Sequence, residues 1–365
     1  MIHVLHIGPD KASRGGIASV IRTYVDCVAD GDVAIRDLAT VGDWSFAGKV
    51  LGAMKAYLLA PYAILRADII HIHTASRNSW RRKRPFALLT KLLGRKLVIH
   101  IHGGGFRDYL RSMRPLSRSM NVHLLQLADC IICLSPRKLD EVAEYLGGVR
   151  TVTIANPCAF VPPVANRREG STVRILFAGW ICQQKGVFDL IRAFALVVRR
   201  CPDVDVELVV AGKGDVDAGK KLASDLGLLD KIHFPGWLDD SALREAYSGA
   251  HIYCLPSYVE GVPMSVLEAM VFSLPVVTCP VGGVPDVVRD GVHGVWIQPG
   301  DIPGIADALK RLIGDRDERE RMGQAGRREV LNGYSTARVS GELMELYRSL
   351  AATSDPEDRV TRSVA

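Results

Sequence analysis

Glu260-Gly261-Val262-Pro263-Met264-Ser265-Val266-Leu267-Glu268-Ala269-Met270 decides how this chain is read. An apolar run, His251 to Leu255, precedes it and reads as a buried strand. A Gly-Val-Pro loop then turns the chain, and a helical pattern starts near Pro263. Proline suits a first helical turn, where its missing N–H has no partner to lose. A helix start offers unpaired N–H groups and partial positive charge, which suits a phosphate. Two carboxylates bracket that start, Glu260 before the turn and Glu268 in the second turn. Carboxylates accept hydrogen bonds from sugar hydroxyls. Beside a phosphate-binding helix end they would grip the two ends of a sugar nucleotide.

Glu, seven residues, Glu, set within E-G-x-P-x-x-x-L-E-A-M and followed by Leu274-Pro275-Val276-Val277, resembles the signature of retaining glycosyltransferases of family 4. The resemblance implies the GT-B fold. That is an α/β architecture of two Rossmann-like doubly wound domains facing across a cleft.

The 365 residues are enough for two domains with proper cores. Apolar residues make up 48% of the chain, a globular value, and no apolar run is long enough to span a bilayer. Met1 to Gly8 is too short for a signal peptide and reads as a strand. Cys130 and Cys133 form a lone C-x2-C inside an apolar run, which points to buried thiols rather than zinc. Charge is uneven. Residues 1–168 carry 24 Lys and Arg against 12 Asp and Glu, whereas the remainder carries 22 against 28. The basic half implies an anionic partner: a phosphate-bearing substrate, a membrane surface or a nucleic acid. Without a nucleic-acid motif, the last is set aside.

In the first half, strand patterns at 2–7, 33–38, 68–73, 97–102, 129–134 and 149–154 alternate with helical ones. Gly15-Gly16 opens the first helix. It is either a tight turn or a place where a ligand approaches the backbone. The G-x-G-x-x-G spacing of dinucleotide binders is missing. The resemblance assigns this Gly-Gly loop to the donor and acceptor. The stretch from Arg77 through Trp80, Arg81, Arg82, Lys83, Arg84 and Phe86 to Lys96 joins a cationic cluster to an aromatic residue and a helical apolar pattern. Such a helix either lies on an anionic membrane or packs in the core with a solvated basic end. His100 and His102 share one face of their strand, and His102 stands at its C-terminal end, where open parallel sheets bind ligands. By resemblance, His102 lies beside the donor sugar. Arg107, Arg111, Arg114 and Arg118 follow, either to hold the phosphates of a lipid-linked acceptor or as solvated charge.

The second half restarts with strands at 173–178, 205–211, 232–234, 251–255, 275–279 and 294–298. Lys185-Gly186 before a helix puts a cation where a diphosphate would sit, and it matches the Lys-Gly motif of the family. Family members often carry Gly-Arg where this chain has Gly179-Trp180, so the arginine that helps neutralise the diphosphate is missing here. Gly236 and Trp237, at a strand end, stand where relatives hold the base.

These readings give an acceptor-binding domain over 1–165 and a nucleotide-sugar-binding domain over 171–335. A helix at 336–350 would return to the first domain, and 351–365 would be a disordered tail. The stretch from Phe160 to Thr172 would be the linker. The expected activity is retaining transfer from a nucleoside diphosphate sugar, UDP-sugar preferred over GDP-sugar, to a hydroxyl of a lipid-linked saccharide in bacterial polysaccharide synthesis. Lys185 and the N–H groups of Met264 and Ser265, beside Val262 and Pro263, would take the leaving diphosphate. Glu268 would hold the ribose, and Glu260 the donor sugar. No cofactor and no metal is called for. The expected location is cytoplasmic, on the inner face of the plasma membrane. A sugar-nucleotide epimerase of the same fold and a non-catalytic sugar-nucleotide binder at the membrane are the alternatives.

Overall fold

The computed structural model describes residues 1–27, 31–160 and 172–352. Apart from Phe160 and Thr172, the expected linker lies outside them, as does the expected tail beyond Ala352. The chain divides into two compact units. Unit 1 comprises Met1–Ala159 and resumes at Ser335, while unit 2 is Phe160–Tyr334.

Unit 1 runs β1 (Ile2–Pro9), α1 (Gly16–Asp26), β2 (Val33–Val41), α2 (Phe46–Leu65), β3 (Ile69–Thr74), α3 (Asn78–Leu92), β4 (Lys96–Ile101), α4 (Phe106–Arg111), α5 (Pro115–Gln126), β5 (Cys130–Cys133), α6 (Pro136–Val142) and β6 (Thr151–Thr153). Its strands pair in parallel in the order β2-β1-β3-β4-β5-β6. Unit 2 runs β7 (Thr172–Ala178), α7 (Val187–Arg200), β8 (Asp205–Ala211), α8 (Val216–Asp225), β9 (Ile232–Gly236), α9 (Asp240–Gly249), β10 (Ile252–Leu255), α10 (Met264–Val271), β11 (Val276–Thr278), β12 (Gly294–Trp296), α11 (Ile302–Gly314) and α12 (Arg316–Gly333). Its parallel order is β12-β11-β10-β7-β8-β9. The final helix, α13 (Thr336–Ala352), packs against β1 in unit 1. Arg348 on it pairs with Asp32 at 2.8 Å. The expected architecture of two Rossmann-like units is the one observed.

Period-two alternation gives the unit 1 sheet two unlike faces. Leu5, Ile7, Ile70, Ile72 and Ile99 point to one face and pack with Ala56, Ala60 and Ile64 of α2 and with Trp80 and Phe86 of α3. Their neighbours in sequence, His6, His71, His73 and His100, are fully buried on the other. Tyr24 of α1 and Tyr347 of α13 cover that face.

In residues 77–96 the aromatic side chains pack into the core. Trp80 and Phe86 are buried, and Trp80 Nε1–H donates to Asn121 Oδ1 at 2.8 Å. Trp80 and Phe86 of α3 therefore face inward, while Leu88 and Leu92 of the same helix stay exposed. Cys130 and Cys133 are buried free thiols whose pKa values burial pushes up, to about 11 and about 12.

Candidate active site

In unit 2 the expected residues gather at the C-terminal ends of the strands. The loop after β7 closes in a single 3-10 turn, Gln183–Lys185. Gly186 then takes φ 69°, a left-handed conformation that side chains rarely adopt. A Cβ there would overlap the carbonyl oxygen of Pro256, so the glycine is what lets this loop lie against the end of β10. That contact aims Lys185 at the β10–α10 loop. Its Nζ donates to Glu260 Oε1 at 2.6 Å, and Ser257 Oγ donates to the same oxygen at 2.7 Å. Glu260 is 6% exposed and Lys185 28%. Both hydrogen bonds fall on Oε1.

Pro263 proves to be the N-cap of α10 rather than a residue of its first turn, with φ −71° and ψ 124°. Met264 and Ser265 are thus the first two helical residues, and their N–H groups have no acceptor within the helix. Val262 is buried. Glu268 sits one turn further on, where Tyr247 of α9 donates its hydroxyl to Oε2 at 2.8 Å. Tyr258, just before Glu260, donates to Asp189 Oδ2 of α7 at 2.8 Å and so ties the loop to the helix behind Lys185. Ser257, Tyr258, Asp189 and Tyr247 escaped the sequence reading, because each acts through a partner that only the fold brings near. Trp180 is 56% exposed at the end of β7, with its indole against Gly214. Gly236, at φ 77°, closes β9 beside the half-exposed Trp237.

In unit 1, Gly15 caps α1 at φ 121° with open space where a side chain would be, and Gly16 begins the helix. His102 follows β4 and ends a hydrogen-bonded ladder. Asn156 Oδ1 accepts from His102 Nδ1–H at 3.3 Å. Each link then fixes the next tautomer. His73 Nδ1–H donates to His102 Nε2 at 2.9 Å, and His6 Nδ1–H donates to His73 Nε2 at 2.9 Å. The Tyr347 hydroxyl donates to His6 Nε2 at 2.8 Å and accepts from His71 Nδ1–H. His100 Nδ1–H donates to His71 Nε2 at 3.2 Å, and His100 Nε2 is left a lone pair without a partner among the described residues. Burial keeps all five rings neutral. It lowers His6 and His102 to about 3 and the other three well below their ordinary value.

Two overlapping trios, His6-His71-His73 and His73-His100-His102, are close enough to share an ion. Their ring nitrogens, apart from His100 Nε2, are taken up by the hydrogen bonds of the ladder. Both nitrogens of His102 are committed inside the ladder. A sugar hydroxyl at His102 has to take the place of Asn156, its longest link.

The arginines expected at an acceptor lie at the start of α3 and on α4. Arg77 and Arg81 are exposed at the start of α3, and Arg84 donates to Asn121 Oδ1. The carbonyl oxygen of Arg82 accepts from the Tyr57 hydroxyl. Arg107 lies 3.7 Å from Asp108, and Arg111 pairs with Glu144 at 2.9 Å.

Residues 164–329 match the family model of glycosyl transferases group 1, and residues 15–157 that of the glycosyl transferase 4-like domain. The two-unit architecture is that of the GT-B fold. An uncharacterized glycosyltransferase of Methanocaldococcus jannaschii is 32% identical to it over 175 residues, 48% of this chain and 44% of the relative. The chain thus matches less than half the length of that relative. The chain is also 28% identical over 283 residues to an alpha-D-kanosaminyltransferase of Streptomyces kanamyceticus, covering 72% of this chain and 73% of the relative. Its fold superposes on the Anabaena protein HepE, solved in complex with UDP-glucose, with a TM-score of 0.71 at 19% identity, covering 96% of this chain and all of that one.

Proposed function

We propose that the protein is a glycosyltransferase that moves a sugar, with retention at the anomeric carbon, from a UDP-sugar to a hydroxyl of a lipid-linked saccharide. The observation that carries this is the Lys185–Glu260 pair beside the start of α10. It puts a cation, unpaired N–H groups and a carboxylate at the end of one sheet.

The chemistry asks mainly for positioning and for stabilising the leaving group. The bond from the anomeric carbon to the diphosphate oxygen breaks, and the acceptor oxygen forms its bond on the same face. The acceptor proton passes to the departing phosphate oxygen. Lys185 Nζ and the N–H groups of Met264 and Ser265 take the developing negative charge. Glu260 Oε2 orients the sugar through a hydroxyl, and Glu268, held by Tyr247, takes the ribose hydroxyls. Gly236 and Trp237 receive the base. Trp180 offers no charge, so Lys185 carries the cationic part of the work alone. In unit 1, Gly15 and Gly16 are backbone contacts, and His102 bonds a sugar hydroxyl by releasing Asn156. The UDP preference is supported by the likeness in fold to HepE, and the lipid-linked acceptor by the basic excess of the first half.

The test is slow hydrolysis of UDP-glucose and related UDP-sugars by the purified protein, with the first-released anomer read by NMR. An α-anomer from an α-linked donor supports retention, whereas a β-anomer overturns it. UDP should raise the melting temperature of the native protein but not that of Glu268→Ala. A shift by GDP alone would reassign the donor.

A further inference from the structure

α2 carries an outward apolar surface that nothing in the chemistry above uses. Leu51, Met54, Leu58, Tyr62 and Leu65 recur at intervals of three and four, which places them along one side of the helix. Leu51 is 64% exposed, Leu58 77%, and Phe46, at the helix start, 85%. The opposite side is apolar as well: Ala56, Ala60 and Ile64 are buried against the sheet. A helix apolar on all sides is normally covered on all sides. Here the outer side is bare, and it exceeds the scattered exposure of ordinary surfaces.

The surroundings say what covers it. α2 packs against α3, and α3 against α5. The exposed Leu88 and Leu92 of α3 and Leu116 and Met120 of α5 extend the apolar surface. The Tyr57 ring stacks on Phe86 at 4.7 Å and joins α2 to α3. The Arg66 guanidinium sits 4.6 Å from the centre of the Tyr62 ring. Residues 44–127 contain 15 Lys and Arg and only Asp68 and Asp108 as acids. A second copy docking through the same patch would set these cations against themselves. An anionic bilayer satisfies both features, with acyl chains meeting the leucines and lipid phosphates meeting the arginines and lysines. No helix among the described residues is long and apolar enough to cross a membrane, so α2 would lie in the interface.

We propose that the α2 face, rimmed by the cations of α2, α3 and α5, is a docking surface for an anionic lipid bilayer. This deepens the lipid-linked acceptor reading and rests on it for its purpose, but the readout below is vesicle binding alone.

The experiment is co-sedimentation of the full chain with vesicles of phosphatidylcholine and of phosphatidylcholine mixed with phosphatidylglycerol. Wild type should pellet with the anionic vesicles and much less with the neutral ones. Leu51→Glu with Leu58→Glu should weaken binding roughly a hundredfold, since each buried leucine is worth about tenfold or more. Lys55→Glu should weaken it about fivefold or more while leaving the apolar face intact. The leucine variant should keep its UDP-induced rise in melting temperature, which shows it folded. Failure of wild type to bind anionic vesicles overturns the proposal, and so does undiminished binding by the leucine variant. A wild-type dimer in sedimentation velocity that the leucine variant dissociates also overturns it, because the occupant is then a second copy. Vesicle binding without transfer to a lipid-linked saccharide leaves the docking surface standing and removes the acceptor reading.

Discussion

Lys185 Nζ and Glu260 Oε1 lie 2.6 Å apart although 75 positions separate them in the chain. Lys185→Ala removes the cation from the leaving group and leaves the Glu260 carboxylate buried with Ser257 as its remaining neighbour. Turnover should fall by about two to three orders of magnitude, as for loss of one oxyanion donor. Stability should fall by about 1–3 kcal/mol, less than for a fully buried pair because Lys185 is partly exposed. Adding Glu260→Gln should return most of the stability and none of the turnover. Denaturant titration and donor hydrolysis read the two effects separately, and equal recovery of both would sink the assignment.

Tyr247→Phe keeps the ring and removes the hydroxyl that holds Glu268. Nucleoside diphosphate affinity should weaken by about 1 kcal/mol, or roughly fivefold. Pyrophosphate affinity, measured in the same calorimetric titration, should not change. An equal loss for pyrophosphate would mean that Glu268 does not read the ribose.

Gly186→Ala puts a side chain at φ 69° and against the Pro256 carbonyl. It should cost about 1–3 kcal/mol and displace Lys185. Both the urea midpoint and the donor hydrolysis rate should drop. A variant as stable and active as wild type would show that the loop has another way to lie.

The buried histidines make the fold sensitive to acid. An unfolded histidine takes a proton near pH 6.5, while the buried rings stay neutral down to far lower pH, His6 and His102 to about 3. Their contribution is complete above about 6.5 and is lost as pH falls, because only the unfolded chain gains protons. Each ring then costs about 1.4 kcal/mol per pH unit. For the five together that is roughly 7 kcal/mol at pH 5.5, the scale of a whole domain's stability. Acid unfolding is therefore expected near pH 5 to 5.5 by circular dichroism, with a shallower slope in His100→Phe. A urea midpoint that stays flat from pH 7 to pH 5 would refute the neutral ladder.

The two sheets were legible in the sequence because most strands are short apolar runs, and because parallel strands alternate with helices of the right length. The Glu260–Glu268 spacing was legible for the same local reason, since one turn and one helix contain it. Lys185 could be named, but its pairing with Glu260 joins two strand ends and follows only from the order β10-β7. The histidines were visible strand by strand, and their sharing of a face within β4 could be read. The ladder across β1, β3 and β4 requires the strand order, and Tyr347 requires the return of the last helix. The cationic stretch at α3 drew attention to charge. Its leucines and aromatic rings could not be sorted into inner and outer from spacing alone, and the bare apolar surface turned out to lie on α2.

Tyr347 stands at the middle of the ladder, 276 positions beyond His71. A ribosome delivers the N-terminus first, so unit 1 has its strands long before it has α13. Until translation passes Tyr347, that face of the sheet has only α1 over its imidazoles, and a nascent chain stalled within unit 2 holds them without their hydroxyl partner. Unit 2 is encoded in one uninterrupted run. The half that is made first is therefore the half that matures last.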